Sequence, residues 1–249
     1  KLKIKNIVTT THGAGIGLVG QNNKPLYGVM DYENNFDIIN NQFNKIKPNF
    51  SETLSPNSDK GLSIGNQILY LKLNKKKIFN KIKYILKLPQ YISWLISGKI
   101  NSEISYIGNH THLWNFKKND FSSFVYKIDI KKKIPNVKKA WSKVGYFTLD
   151  KRLKNQKINV LNGVHDSDAS YLVFLKNNIK KFTKISTGTN YVFMNSFANT
   201  RCLKDGIEMY SGLSVFGKKI PTIRFMGGRE YELLYKKLKI NKKTSKFDK

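Results

Sequence analysis

Two short stretches hold the residues best suited to chemistry. LNGVHDSDAS at 161–170 places Asp166 just past an apolar run and a glycine, and ISTGTN at 185–190 places Thr187, Gly188 and Thr189 in a small-residue turn. A carboxylate in the loop after a strand can act as a general base. It can equally cap a helix, a reading the following Asp-Ala-Ser favours. A turn that offers backbone N–H groups, two hydroxyls and a glycine can cradle phosphate, or it can simply close a hairpin. Together, a base and a phosphate cradle are the two parts that phosphoryl transfer needs. No protein ligand set for a metal is expected. The single cysteine, Cys202, has no metal-ligand spacing around it and reads as a small buried hydrophobe in a reducing compartment.

Alternating β-branched residues predict a strand over 2–11, running into the turn HGAGIG. LVGQNNKPLYGVMDY then reads as a hairpin. Residues 34–60 form a polar connector in which DIINNQFNKI has short helical spacing. Apolar residues at helix-like intervals predict a basic helix over 65–88, followed by a second one opening at Pro89 and closing on Gly98. NSEISYIGNHTHLWN reads as a polar loop with short extended pieces. After it come a strand at 157–164, a short helix in SYLVFLKN, and strands in KKFTKIST and TNYVFMNS. This is α/β grammar. The step NNIKK at 177–181 is the expected boundary between two domains.

The formal charge is +29, and phosphate-rich partners are its first implication. Composition argues against specific recognition, because only four of the 45 basic residues are arginine and arginine's planar fork serves phosphate and base edges best. The excess is lysine in runs such as KIDIKKKIPNVKK, accompanied by abundant Asn and Ile, the amino acids of A/T-rich codons. Solvated lysine faces are therefore the expected reading. A lysine-rich protein that binds nucleic acid or an anionic surface remains the alternative. No apolar run has membrane-spanning length, and the start KLKIKNIVTT has no apolar signal core. A cytoplasmic location follows as an expectation.

Five blocks in order resemble the FGGY family of carbohydrate kinases. VTTTHGAGIGLVGQNNKPLYGVMDYEN resembles that family's sugar-contact strand and hairpin, and LPQYISWLISGKINSEISYIGNHTHLWN its helix and following loop. NGVHDSDAS is similar to the block with the catalytic base, STGTN to the second phosphate motif, and VFGKKIPTIRFMGGREYELL to a branch carrying R-F-M-G-G-R-E. The resemblance implies an α/β, actin/hexokinase-like (ribonuclease H-like) kinase of two domains. Residues 1–176 would be the rear of the sugar-binding domain and 182–249 the opening of the ATP-binding domain. It further implies Asp166 as the base, His12, Gly13 and Asp31 on the sugar, and Thr187, Gly188 and Thr189 on the phosphates of ATP with Mg²⁺. The expected partner is a small sugar, with neither a specific nucleic acid nor a membrane, and a homodimer as the assembly to test. A non-catalytic sugar-binding relative is the other alternative.

Departures from the family pattern are equally readable. Asp31 is followed by Tyr32 and Glu33 rather than by the rest of W-D-x-R, and His112 stands where relatives carry aspartate. His165 beside the base is open to a packing role, and GGRE at 227–230 reads as an unusual glycine turn with an Arg229–Glu230 pair. Neither a D-x-G-[TS] turn nor a G-G-G adenosine segment is present. The chain is thus expected to be an internal portion of a longer kinase, truncated at both ends and inactive alone.

Overall fold

Two short strands at the start of the chain run parallel to two from its middle. Asn6–Ile7 pairs with Lys157–Leu161, and Thr10–Thr11 with Val164–His165. In the computed structural model, residues 4–58, 60–148, 157–177, 179 and 181–238 are described. The first residues of the strand expected over 2–11 lie outside that set, as do 178, 180 and the lysine-rich end from 239. Each member of the parallel pair is interrupted, at Val8–Thr9 and at Asn162–Gly163. Gly163 takes the left-handed φ of +87° that the jog requires, and the buried Thr9 hydroxyl donates to the Pro89 carbonyl at 2.8 Å. Because the strands are parallel, both end at the same edge, and loops outside that edge gather functional groups.

The predicted hairpin is Ile16–Gly20 with Pro25–Tyr27, and Ile82–Lys87 pairs antiparallel on its other side. That third strand corrects the helix expected over 65–88. The helix covers Ile64–Asn74, a single turn follows at Lys76–Phe79, and the chain then extends. Ile82 and Ile85 face the main core while Leu86 packs with Tyr91 and Trp94 on the opposite face. A strand covered on both faces reads as a continuous apolar run, which spacing alone cannot separate from helix. The next helix, Leu88–Ser97, has Pro89 in its first turn and ends on Gly98 at φ +68°, as its punctuation predicts.

Residues 101–115 are not a solvated loop. Ser102–Glu103 pairs parallel with Val137–Lys138, Ile104–Ile107 makes one helical turn, and Asn109, Thr111 and His112 are buried. Asn109 Nδ2 lies 3.0 Å from His165 Nδ1, the Thr111 hydroxyl donates to the Ile107 carbonyl, and His112 Nδ1 lies 3.0 Å from Ser63 Oγ, partners that let a polar sequence pack inside.

A four-stranded antiparallel sheet completes the architecture, in the order Lys184–Ser186, Tyr191–Met194, Lys219–Phe225, Met209–Leu213. The helix Asp166–Lys176 lies on this sheet, with Tyr171 buried among Met194, Ile220 and Phe182. Further ties join the sheet to the first half of the chain: Ser211 N–H donates to the Leu54 carbonyl at 3.0 Å, and Arg224 reaches Ser58 Oγ at 3.2 Å. Among the described residues, no helix is long and apolar enough to cross a membrane. Cys202 is exposed rather than buried.

Candidate functional site

The parallel strands deliver His12 and Asp166 to one edge. Asp166 is the first residue of its helix and its side chain is 50% exposed. Its Oδ1 accepts the Ser167 N–H at 2.5 Å, and its charge suits the positive end of the helix. His165 comes just before it and is buried. The imidazole Nδ1 lies 2.9 Å from Asp168 Oδ2, and Nε2 lies 3.3 Å from Asp166 Oδ1. Asn109 Nδ2 stands 3.0 Å from the same Nδ1 and 3.5 Å from Asp168 Oδ2. Burial pushes the Asp168 carboxyl up from its ordinary value, against the opposing effect of His165. Glu103, buried in the neighbouring strand, is pushed up to about 7, chiefly by burial.

The loop at Gly13 fits beneath two imidazoles. A Cβ on Gly13 would lie 2.5 Å from His110 Nε2 and 3.1 Å from His165 Nε2, so only glycine leaves these rings in place. Tyr106 fixes the loop from below: its hydroxyl oxygen accepts the Gly15 N–H at 2.9 Å and lies 2.9 Å from the His12 carbonyl. The His12 ring is exposed and tilts against Tyr32 at 5.2 Å. Asp31 is also exposed, and its Oδ1 accepts the Glu33 N–H at 2.9 Å. Thus Tyr32, rather than Asp31, makes the contact with His12. His110 and His112 are both pushed down to about 3 by burial and stay neutral. His112 is structural, with Nδ1 3.0 Å from Ser63 Oγ and its ring edge-on to Phe43.

The strand leading to the turn at 187–189 packs beside the helix that Asp166 opens. Strand Lys184–Ser186 runs antiparallel to helix Asp166–Lys176: Phe182 stacks near Phe174, while Lys184 Nζ donates to Ser170 Oγ at 2.5 Å and lies 3.5 Å from the Ser167 carbonyl. GGRE is not the unusual turn expected of it. Helix Gly227–Lys237 starts there, and a Cβ on Gly228 would sit 2.1 Å from the Gly188 carbonyl oxygen. The second glycine therefore allows close approach to the turn. Gly188 itself is open, since a Cβ there would find only the Asn190 carbonyl, at 4.0 Å. Ion pairs in this region join Arg224 to Glu208, with Nε–Oε2 at 2.8 Å, and Lys236 to Glu232 at 2.8 Å, and Arg229 is exposed.

Tyr106, Asn109 and Asp168 are the neighbours that sequence reasoning passed over. One signal was present: His165 and Asp168 stand three residues apart, the spacing that places two side chains on one helix face. Among the described residues, no group of three or more His, Cys, Asp or Glu side chains could hold a metal ion.

Residues 1–173 match the N-terminal domain of the FGGY family of carbohydrate kinases, and 179–249 match the carbohydrate kinase FGGY C-terminal domain. Among solved structures, a carbohydrate kinase from Novosphingobium aromaticivorans is similar at 27% identity and a TM-score of 0.84, over 94% of this chain and 53% of that one. Glycerol kinase from Plasmodium falciparum, solved with ADP, gives a TM-score of 0.74 at 14% identity, over 95% of this chain and 50% of that one. Xylulose kinase from Lactobacillus acidophilus gives 0.69 at 14%, over 89% and 46%. The last two likenesses concern the fold alone. The chain spans about half the length of these structures. No curated protein sequence matches it.

Proposed function

Because the chain belongs to the FGGY family of carbohydrate kinases, we propose that it carries the base and part of the phosphate seat of an ATP-dependent sugar kinase acting on a ketose or related polyol. The observations that support this reading are that Asp166 and the Gly13 loop meet around His165, and that Lys184, in the strand leading to the Thr187–Thr189 turn, contacts the helix that Asp166 opens. In this reading, residues 1–176 belong to the sugar-binding domain and 182–249 open the ATP-binding domain, in a cytoplasmic enzyme. ATP, when bound, supplies the phosphoryl group.

Asp166 accepts the proton of the attacking sugar hydroxyl. Its half-exposed side chain leaves Oδ2 free to do so, while Oδ1 is held by the helix N-terminus. His12, Gly13 and Asp31 face the sugar, with the space a Gly13 side chain would take filled by His110 and His165 rather than left for the ring, and Asp31 Oδ2 left for a hydroxyl. Thr187, Gly188 and Thr189 face the phosphates, and the open space over Gly188 fits such an approach. The described side chains offer no ligand cluster for Mg²⁺, so no step is assigned to a protein-held metal.

The test is sugar-dependent ADP release by the full-length protein that contains this chain, across a panel of ketoses and polyols. Turnover on at least one of them is expected; ATP binding without turnover on any would overturn the reading. A second expectation concerns the packing of the GGRE helix. Gly228→Ala forces the turn and helix apart, and overpacking of this kind costs about 1–3 kcal/mol. Affinity for a non-hydrolysable ATP analogue should fall about tenfold, while sugar affinity, both read by calorimetry, stays within about twofold. Equal losses for both ligands would show that Gly228 serves general stability only.

A further inference from the structure

We propose that His165 is a positioning residue that holds Asp166 from behind and takes over the proton Asp166 collects. The inference rests on the kinase reading above and deepens it. The imidazole bridges two unlike carboxylates: Asp168 at Nδ1 is buried, and Asp166 at Nε2 is half exposed. With Nδ1–H donating to Asp168, the Nε2 lone pair faces Asp166. The ring has little freedom to turn away. Tyr106 rests edge-on against it at 5.5 Å, the Asn109 amide, donating to Asp168 Oδ2 at 3.5 Å, packs beside Nδ1, and the Gly13 backbone lies in front of Nε2.

The charges around the ring decide whether it can hold a proton. Burial alone disfavours imidazolium, but the hydrogen bond to Asp168 and the charges of Asp168, Asp166 and Glu103 outweigh it, and the net shift is upward. His110, its ring 6.1 Å away, is held neutral by burial and does not compete. Lys184, from the sheet, lies near Asp166 and Asp168 and opposes protonation, but burial lowers its own affinity for a proton. Three carboxylates thus leave His165 as the basic centre behind Asp166.

The step balances as follows. As the sugar oxygen bonds to the γ-phosphorus, its O–H bond breaks and the proton passes to the Asp166 carboxylate. The bond from phosphorus to the bridging oxygen breaks, and that electron pair stays on ADP. A turn of the Asp166 carboxyl about Cβ–Cγ exchanges Oδ2 for Oδ1 at the position facing the ring, and the proton then moves to His165 Nε2, leaving imidazolium paired with the Asp168 carboxylate. Asp166 is restored as a carboxylate before the products leave.

Two measurements on the full-length protein test this. Wild-type kcat should rise with pH through a group ionising above about 6.5, because a protonated ring cannot receive the proton. His165→Gln should lower kcat about tenfold or more, leave the sugar KM within about twofold, and remove the acid limb that the imidazole sets. An unchanged rate and acid limb would overturn the proposal. The second measurement is ¹⁵N NMR titration of His165 in wild type and in Asp166→Asn, an exposed substitution that does not depend on His165→Gln folding. Loss of the Asp166 charge should lower the His165 pKa, and an unshifted titration would overturn the pairing. Absence of sugar-dependent turnover in wild type would instead overturn the kinase reading and the transfer step with it, whatever the titration shows.

Discussion

Asp166→Asn in the full-length protein is expected to lower sugar-dependent turnover by about 10²-fold or more while sugar affinity barely changes. Asparagine keeps the shape of the side chain and can still accept the Ser167 N–H through its amide oxygen. It cannot take a proton at neutral pH. The helix loses only the favourable position of a charge in its first turn, about 0.3–1 kcal/mol, so folding should survive. If Asp166 served the helix alone, ADP release by the variant would match wild type, and near-equal turnover on an accepted sugar would remove it from the base role. Calorimetric sugar binding in the same preparation separates lost chemistry from lost binding.

Lys87→Met is expected to stabilise the protein by about 3 kcal/mol or more at pH 7. Lys87 ends the strand paired with Ile16, is 2% exposed, and its Nζ finds no hydrogen-bond partner among the described residues. Burial pulls its pKa from the ordinary 10.5 down to about 7. The unfolded chain therefore binds more protons than the folded one between about pH 7 and 10.5, and stability rises with pH across that window. A gap of this size costs about 4–5 kcal/mol at neutral pH. Methionine keeps much of the length and removes the charge. Urea unfolding at pH 7 and pH 10 reads the result: the gain should shrink at the higher pH. An equal gain at both values, or none at pH 7, would show that the ammonium is better solvated than its burial implies.

The fold class was legible because punctuation and order are local signals. Pro89, Gly98, the QNNKP turn and the ordered blocks of the family are all visible along the chain. Ile82–Lys87 was not legible, since a strand buried on both faces loses the alternation that marks it. The segment at 101–115 misled for a different reason. Its Asn, Ser, Thr and His suggest solvent, yet they are buried against partners such as Ser63 for His112 and His165 for Asn109. Within the candidate site, Asp166 and the 187–189 turn stand out by residue type. Tyr106 and Asn109 could not be found that way, because their roles depend on residues 91 and 56 positions distant.

The helix that begins at Asp166 follows the parallel strands in sequence but rests on the four-stranded sheet through Tyr171 and Lys184. In mechanical terms, a residue from the end of one sheet is carried on a mount that belongs to the other. The mount is braced from outside as well, since Ser211 and Arg224 fasten the same sheet to Leu54 and Ser58, so the position of Asp166 is set by both halves of the chain at once.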